Sequence, residues 1–257
     1  MATVRAIHVS AVKSLRLMTV PEARIERDGI PGDRQFALRD ERRDRVATQR
    51  EIGGLAQIES RYDAERRELA LVMPDGSRVA AAVNGGRPAS AKLWDRIVEG
   101  RALDGPWSEA ISEAMGRELT LIELTDGIRA LDTHPISLLS QASADEVGRR
   151  GGRDGLDARR FRPTLLLDGL GPHEEDTWVG RPVRAGDALL SVIRLDPRCA
   201  LTTRNPETGE RDADTLRWLA EYRRFEDGDV YCGLYADVLE PGTVRVGDAV
   251  EPVGAAP

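Results

Sequence analysis

The first ninety residues contain short runs in which apolar and polar positions alternate, the pattern of half-buried β-strands. Residues 4–9 alternate in this way, and residues 33–40 form a second run. Two further apolar runs, residues 67–73 and 78–83, flank the sequence Pro-Asp-Gly-Ser at residues 74–77. Because proline, aspartate and glycine favour a tight turn, these two runs predict a β-hairpin.

The rest of the chain mixes further short strands with a few segments of helical periodicity. A helix is predicted at residues 105–116, with proline near its first turn, and another at residues 215–224. Ser143 and Glu146 have the spacing of a capping box, which predicts a third helix over residues 143–150. The remaining apolar runs predict strands at residues 96–103, 119–124 and 161–169.

Strands therefore outnumber helices, and the two do not alternate regularly along the chain. This order predicts an α+β, β-rich protein whose sheets are antiparallel or barrel-like. The segment NGGRPAS at residues 84–90 combines asparagine, glycine and proline. Such a composition breaks regular structure, so we predict a linker there.

Composition narrows the classes of protein to which the chain can belong. The 257 residues are 32% charged, 40% apolar and 4% aromatic, which is typical of a soluble globular protein. The net charge of −7 does not favour a nucleic-acid partner, although the many arginines allow a local anion site. We find neither a signal peptide nor a long apolar stretch, so we expect no membrane span and a cytoplasmic location.

The two cysteines cannot form a disulfide framework, and no Cys-x-x-Cys or Cys/His cluster indicates a zinc site or an iron–sulfur cluster. Cys232 lies in an apolar run and is predicted to be a core residue. Cys199 has two interpretations. A free cysteine is most often a small buried apolar side chain. Arg198 precedes it, however, and could stabilise a thiolate, which is both a nucleophile and a soft metal ligand.

A second candidate for chemistry is Val-Lys-Ser at residues 12–14, directly after the first predicted strand. Lys13 and Ser14 could hold a phosphate through charge and hydrogen bonding. Taken alone, an exposed lysine at the end of a strand is the better explanation of the motif. The chain has three histidines, and none is close to Cys199 in sequence, which gives a Cys–His hydrolase little support.

Several sequence blocks change this picture because of the order in which they occur. The blocks are VRAIHVSAVKS (4–14), DGIPGDRQFALRD (28–40), DTHPISLLSQAS (132–143), RFRPTLLLDG (160–169), DPRCALTTRNPETGE (196–210) and GTVRVGDAV (242–250). Taken together they resemble the MOSC family, in the branch with an additional N-terminal β-barrel domain that includes the mitochondrial amidoxime-reducing component and its bacterial relatives. The resemblance covers nearly the whole chain, and the block RCALTT…PETGE followed by GTVRVGD is its most specific part.

The resemblance implies a fold of two β-barrel-like domains with a few peripheral helices, residues 1–88 and 89–257. It implies molybdenum cofactor, the metal bound to molybdopterin, with Cys199 as the protein ligand to molybdenum. A thiolate suits the soft sulfur environment of a pterin dithiolene, and Arg198 would offset its negative charge. The other implied cofactor contacts, including those to the pterin phosphate, are Lys13, Ser14, Arg34, Thr133, His134 and Arg162.

Four places depart from the pattern of the family. Ser10 and Ala11 stand where an aromatic residue and proline are usual, and Leu15 stands where cysteine is common. Thr164 replaces an asparagine, and His134 stands where a small hydroxyl residue is usual. Because these residues are close to the expected pocket, we expect altered cofactor contacts and an altered substrate preference.

The activity that the resemblance implies is that of a molybdenum-dependent oxidoreductase, which reduces N-hydroxylated compounds. Asp132 or His134 is the candidate proton donor. Electrons would come from a separate ferredoxin, flavoprotein or cytochrome, because this chain has no cysteines for an iron–sulfur cluster. The alternative is a non-enzymatic protein that binds or delivers molybdenum cofactor, or carries sulfur as a persulfide on Cys199.

Overall fold

The computed structural model of the protein describes residues 1–125 and 129–254. Short strands dominate both halves of the chain. In the first half they are β1 (Ala2–Val9), β2 (Met18–Val20), β3 (Glu22–Ile25), β4 (Phe36–Asp40), β5 (Arg45–Val46), β6 (Glu59–Asp63), β7 (Glu68–Val72), β8 (Arg78–Ala82), β9 (Arg87–Leu93), β10 (Arg96–Ala102) and β11 (Leu119–Leu124), with helix α1 (Trp107–Met115) before β11. A 3-10 turn covers Gly53–Gln57.

The second half continues with strands β12 (Ile136–Ser140), β13 (Leu165–Asp168), β14 (Pro182–Ala185), β15 (Ala188–Pro197), β16 (Tyr231–Glu240), β17 (Gly242–Arg245) and β18 (Ala249–Pro252). Its helices are α2 (Gln141–Arg150) and α3 (Thr215–Ala220), with 3-10 turns at Ala158–Phe161, Glu174–Trp178 and Ala200–Thr203. Within the described part of the chain, no helix is both long and apolar enough to span a lipid bilayer.

The first barrel is closed by the strand order β10-β11-β4-β5-β9. Small and branched apolar side chains, such as Ala37, Ala91 and Ile122, fill it. Helix α1 packs against the barrel through Trp107, which is fully buried and whose indole Nε1 donates to the carbonyl of Leu69 at 2.9 Å. Leu69 lies on β7, so the predicted hairpin of β7 and β8, confirmed here with β6 beside it, also covers this barrel.

The second barrel uses the first strand of the chain together with strands from its second half. Its order is β13-β12-β16-β15-β14-β18-β1, and the pairing of β13 with β1 closes the ring through Thr3 and Asp168. Aliphatic side chains from these strands, such as Val4, Leu138 and Val192, form its core. The prediction of a β-rich fold with two barrels and few helices is confirmed.

The predicted linker at residues 84–90 is wrong in its second half. Strand β9 begins at Arg87 and pairs antiparallel with β10 along its whole length. Strands β4 and β5 close the same barrel as β9, β10 and β11, so that barrel extends across residue 88. A boundary after residue 88 would divide a closed barrel, and we propose instead a boundary after β11.

The predicted capping box of the α2 helix is also corrected. The N-cap is Ser140, whose hydroxyl accepts a hydrogen bond from the backbone N–H of Ser143 at 3.0 Å. Ser143 lies inside the helix, and its own hydroxyl donates to Glu175 at 2.7 Å. Glu146 pairs with Arg149 on the helix surface instead of reaching back to the N-terminus. Ser140 is the N-cap because it ends β12 in an extended conformation, which is typical of an N-cap.

Candidate functional site

One cavity of about 240 Å³ is lined by residues of both barrels. Trp94 comes from the turn between β9 and β10, while Asp196 and Tyr235 come from β15 and β16 of the other barrel. The cavity brings together every residue that the sequence singled out for a site: Lys13, Ser14, Arg34, Asp132, Thr133, His134, Arg162, Arg198 and Cys199.

Cations dominate the wall of this cavity. Seven lysine or arginine residues line it, against two aspartates, although the chain as a whole has a net charge of −7. A concave wall with one dominant sign of charge concentrates ions of the opposite sign. The cavity is therefore suited to an anionic ligand.

Lys13 is held inside this wall by the main chain around it. Its backbone N–H donates to the carbonyl of Phe36 at 2.8 Å, which joins the segment after β1 to the start of β4. Lys13 is 5% exposed, and its ammonium group donates to Ala130 O at 2.7 Å and to Asp132 Oδ1 at 2.8 Å. Burial lowers the pKa of Lys13, and Asp132 partly offsets this effect. Lys13 is therefore a buried residue and not an exposed lysine at the end of a strand.

Arg34 fixes the same segment from the opposite side. Its backbone N–H donates to the carbonyl of Ser10 at 2.7 Å, and the N–H of Ser10 donates to Asp33 Oδ1, also at 2.7 Å. The Arg34 guanidinium forms an ion pair with Asp33. The Asp-Arg pair therefore does two things: it locks the loop that carries Lys13, and it presents a guanidinium to the cavity.

Arg162 is a cation of the cavity wall whose guanidinium is only partly satisfied. Its Nη1 contacts Gln49 Oε1 only at 3.5 Å, and its buried Nη2 has no hydrogen-bond partner among the described residues. Burial and the nearby charge of Arg34 lower the pKa of Arg162 to about 9. Buried charges are normally paired. This guanidinium is thus left able to bind an anion in the cavity.

Four residues of the cavity wall have left-handed backbone conformations: Ser14, Arg34, Trp94 and Arg162, with φ between 51° and 69°. Such conformations are uncommon outside glycine and cluster where a side chain must be aimed at a ligand. The apolar patterns of residues 33–40 and 161–169 predict a strand over each of these ranges. The strands begin only at Phe36 and Leu165, because Arg34 and Arg162 turn the chain just before them.

Cys199 is partly accessible at the end of β15, where it begins the 3-10 turn Ala200–Thr203. Beside it, the Arg198 guanidinium is held by two carbonyls, with Nε donating to Cys232 O at 2.6 Å and Nη1 to Phe161 O at 2.8 Å. Cys232 itself is fully buried, and burial raises the pKa of its thiol to about 12. Of the two thiols, the one that lines the cavity is therefore Cys199.

Asp132 and His134 both have fixed partners. Partial shielding of the Asp132 carboxyl, whose side chain is 54% exposed, opposes its ionisation, but the Lys13 ammonium and the indole N–H of Trp94 at 3.1 Å outweigh this effect, so the pKa of Asp132 is well below its ordinary value. An ionised carboxylate of this kind argues against Asp132 as the proton donor. His134 Nδ1 lies 2.8 Å from Asp237 Oδ1, and a role for His134 stays a prediction.

Several residues of the cavity wall were not predicted from the sequence. Among them, Asp196 is a buried acid that could take part in proton transfer. The signal that the sequence offers for Asp196 is an acidic residue near the end of the apolar strand that leads to Cys199. Trp94 is 41% exposed, and the Arg50 guanidinium stacks on its ring at 3.8 Å from the centroid. The pairing of Arg50 with Trp94 joins distant parts of the chain, so no local pattern could reveal it.

Gly233 lies close to the Arg198 guanidinium, and its substitution tests how closely the two residues pack. It has φ +80°, and a Cβ atom there would lie 2.6 Å from Leu138 O and 3.1 Å from Arg198 Nη2. We expect Gly233→Ala to lower the free energy of unfolding by about 2–4 kcal/mol, through backbone strain and overpacking. Denaturant unfolding measures this loss.

The matched control for that substitution is Gly228→Ala. Gly228 has a similar φ of +85°, but nothing lies within 4 Å of the added methyl position. It should lose only the strain of the left-handed conformation, about 1–2 kcal/mol. Equal losses at both positions would show that the contact of Gly233 with Arg198 and Leu138 has no energetic weight.

Comparison with known proteins agrees with this architecture. The family described as "MOSC N-terminal beta barrel domain" matches residues 1–116, and the family described as "MOSC domain" matches residues 125–251. A mouse protein, mitochondrial amidoxime-reducing component 1, is 34% identical over 137 residues, which are 50% of this chain and 39% of that protein. Rice molybdenum cofactor sulfurase is 24% identical over 274 residues, covering 92% of this chain and 33% of its own length.

Among solved structures, the YUAD protein from Bacillus subtilis is 13% identical with a TM-score of 0.48, covering 98% of this chain and 94% of that one. The matched part of the chain covers about two fifths of the length of the mouse relative and one third of the length of the rice relative. The two family matches together cover nearly all of the chain. The chain therefore belongs to the MOSC family, in the form that carries an N-terminal MOSC β-barrel domain.

Proposed function

We propose that this protein is a molybdenum cofactor-dependent reductase of N-hydroxylated compounds. The observation that carries the proposal is that one cation-lined cavity contains both the accessible Cys199 thiol and Arg162, whose buried Nη2 has no hydrogen-bond partner among the described residues. The name of the mouse relative, an amidoxime-reducing component, supports the substrate class. Family membership supports the cofactor class.

The residues of the cavity fit the cofactor chemically. A pterin phosphate needs cations and hydroxyl donors, and the buried Nη2 of Arg162 has no partner among the described residues. Lys13, Arg34 and Ser14 line the same cavity and would complete the phosphate contacts. Cys199 would supply a soft ligand for molybdenum.

The bound cofactor would supply a metal centre able to pass two electrons to an N–O bond. The residues of this chain would do the rest. Arg198, fixed by two carbonyls, would offset the charge of the Cys199 thiolate. The hydrogen bonds of Lys13 to Ala130 and Asp132 would hold its ammonium group in a fixed position in the cavity wall. A separate ferredoxin, flavoprotein or cytochrome would deliver the electrons.

The test of this function uses the full chain purified from cells that make molybdenum cofactor. We expect about one molybdenum and one pterin per chain, and turnover of an aromatic amidoxime to the amidine with a chemical electron donor such as reduced viologen. Protein loaded with molybdenum that does not reduce the N–O bond would contradict the proposed activity. Protein that retains no molybdenum would contradict the proposed cofactor.

A second candidate is a protein that holds molybdenum cofactor or carries sulfur on Cys199 without turnover. The match to the rice sulfurase, which covers 92% of this chain, favours it. A persulfide needs an accessible thiol, and Cys199 provides one. Mass spectrometry of the purified protein distinguishes this candidate, since it predicts one additional sulfur on Cys199 and no amidoxime reduction.

A further inference from the structure

Asp196 is a buried carboxylic acid in the wall of the cavity. It is 2% exposed, lies near the end of β15 and precedes Cys199 by three residues. The pairing of β15 with β16 is irregular here, because the register shifts between Leu195 and Pro197. Such a bulge re-aims a side chain that a regular ladder would constrain.

The contacts of this carboxyl leave part of it without a partner. Asp196 Oδ2 lies 2.7 Å from Arg198 Nη2, but this ion pair is not aligned as a hydrogen bond. The other oxygen, Oδ1, is buried and has no hydrogen-bond partner among the described residues. One carboxyl oxygen is therefore able to hold or release a proton inside the wall.

Charged and titratable groups face Asp196 from three elements, and their effects differ. Burial favours the protonated acid and raises the pKa of Asp196 to about 7. The positive charge of Arg198 opposes this rise, as does the Tyr235 hydroxyl, whereas the negative charge of Asp132 adds to it. The groups are Arg194 and Arg198 around β15, Tyr235 on β16, and Asp132 in the loop before β12.

We propose that Asp196 donates a proton to the substrate nitrogen while its N–O bond breaks. The inference rests on the proposed reductase function. In the overall change the N–O bond is cleaved, two electrons from the external carrier reduce the substrate, and two protons are consumed. Asp196 supplies the proton of the new N–H bond. The second proton, which ends in water with the released oxygen, comes from solvent, and solvent also reprotonates Asp196.

The neighbouring groups are less suited to this role. Asp132 is held as a carboxylate by Lys13, so it carries no proton near neutral pH. His134 directs Nδ1 to Asp237. An acid that titrates near the working pH is the most effective proton donor, and Asp196 has that property.

The first test follows the carboxyl itself in the full-length protein. Infrared difference spectra should show the carbonyl band of a protonated acid that disappears as the pH rises through about 7. The band should be absent in Asp196→Asn, which keeps the size of the side chain. It should remain in the control Asp187→Asn, because Asp187 is exposed at the other end of β15. The same band in Asp196→Asn would overturn the inference.

The second test measures turnover against pH. Wild-type kcat should fall as the pH rises through about 7, since Asp196 then loses its proton. Asp196→Asn should lower kcat by about 10²–10⁴-fold and lose this pH dependence, with its molybdenum content unchanged. A variant as active as the wild type would overturn the inference and leave the reductase function standing. An inactive but molybdenum-loaded wild type would instead overturn the function.

Discussion

Replacing Cys199 with serine is expected to reduce amidoxime turnover to background while the fold survives. A serine hydroxyl is a hard ligand and stays protonated near neutral pH, so it is a poor substitute for a thiolate on a soft metal. The side chain is only partly buried, so little packing is lost. Turnover, molybdenum per chain and thermal unfolding are the three measurements.

Cys232→Ala is the matched control for the choice of thiol. Cys232 packs in the apolar cluster around Leu139 and Val147, and it does not line the cavity. The variant should lose about 1–2 kcal/mol of unfolding free energy and keep its molybdenum. Loss of the metal from a folded Cys232→Ala protein would show that the wrong thiol had been chosen. Wild-type turnover in Cys199→Ser would lead to the same conclusion.

Arg162→Met is expected to change cofactor affinity and stability in opposite directions. A charge-assisted contact to phosphate is worth about 1.5–3 kcal/mol, so the dissociation constant of the pterin cofactor should rise roughly ten- to a hundredfold. Without bound cofactor, one buried nitrogen of the guanidinium has no hydrogen-bond partner in the part of the chain that the structure describes. Its removal should raise the free energy of unfolding by about 1–3 kcal/mol. Molybdenum retained after dialysis and denaturant unfolding measure the two effects.

Arg160→Met tests the sign of that stability effect. Arg160 is also a buried arginine of the cavity wall, but its guanidinium donates to Asp212 at 2.8 Å. Because this substitution breaks an existing ion pair, it should lower the free energy of unfolding by about 1–3 kcal/mol. A loss of stability in both variants would contradict the interpretation that Arg162 is an incompletely paired cation that binds an anion.

The fold could be predicted from the sequence where local chemistry determines it. The turn at residues 74–77 forms the hairpin of β7 and β8 because proline and glycine suit that turn in any context. The linker at residues 84–90 failed because Arg87 and its neighbours pair with β10, and pairing outweighs a weak local preference. The closure of the two barrels depended on the family resemblance, since no local pattern reveals which distant strands meet.

The site was predictable to the extent that its residues lie in recognisable blocks. The residues next to Lys13 and Cys199 in the sequence form motifs that identified both, and the structure brings both to one cavity. Asp196 lay in the same block and was missed, because its importance comes from burial, which the sequence does not display. The role of Asp132 as a proton donor stays a prediction, and the ion pair with Lys13 that argues against it could not be predicted, since it joins two distant segments.

The position of β1 has a consequence for biosynthesis. During translation, β1 and its nearby partner β2 leave the ribosome long before β13 and β18, the other two strands that pair with β1, so the pairings of Thr3 with Asp168 and of Ala2 with Val250 form late. Contacts between such distant residues slow folding, and strands without partners invite aggregation in the meantime. A fragment limited to residues 125–251 would lack β1 and expose the edges of β13 and β18. The nascent chain is therefore expected to need protection by chaperones until its last strands have been made.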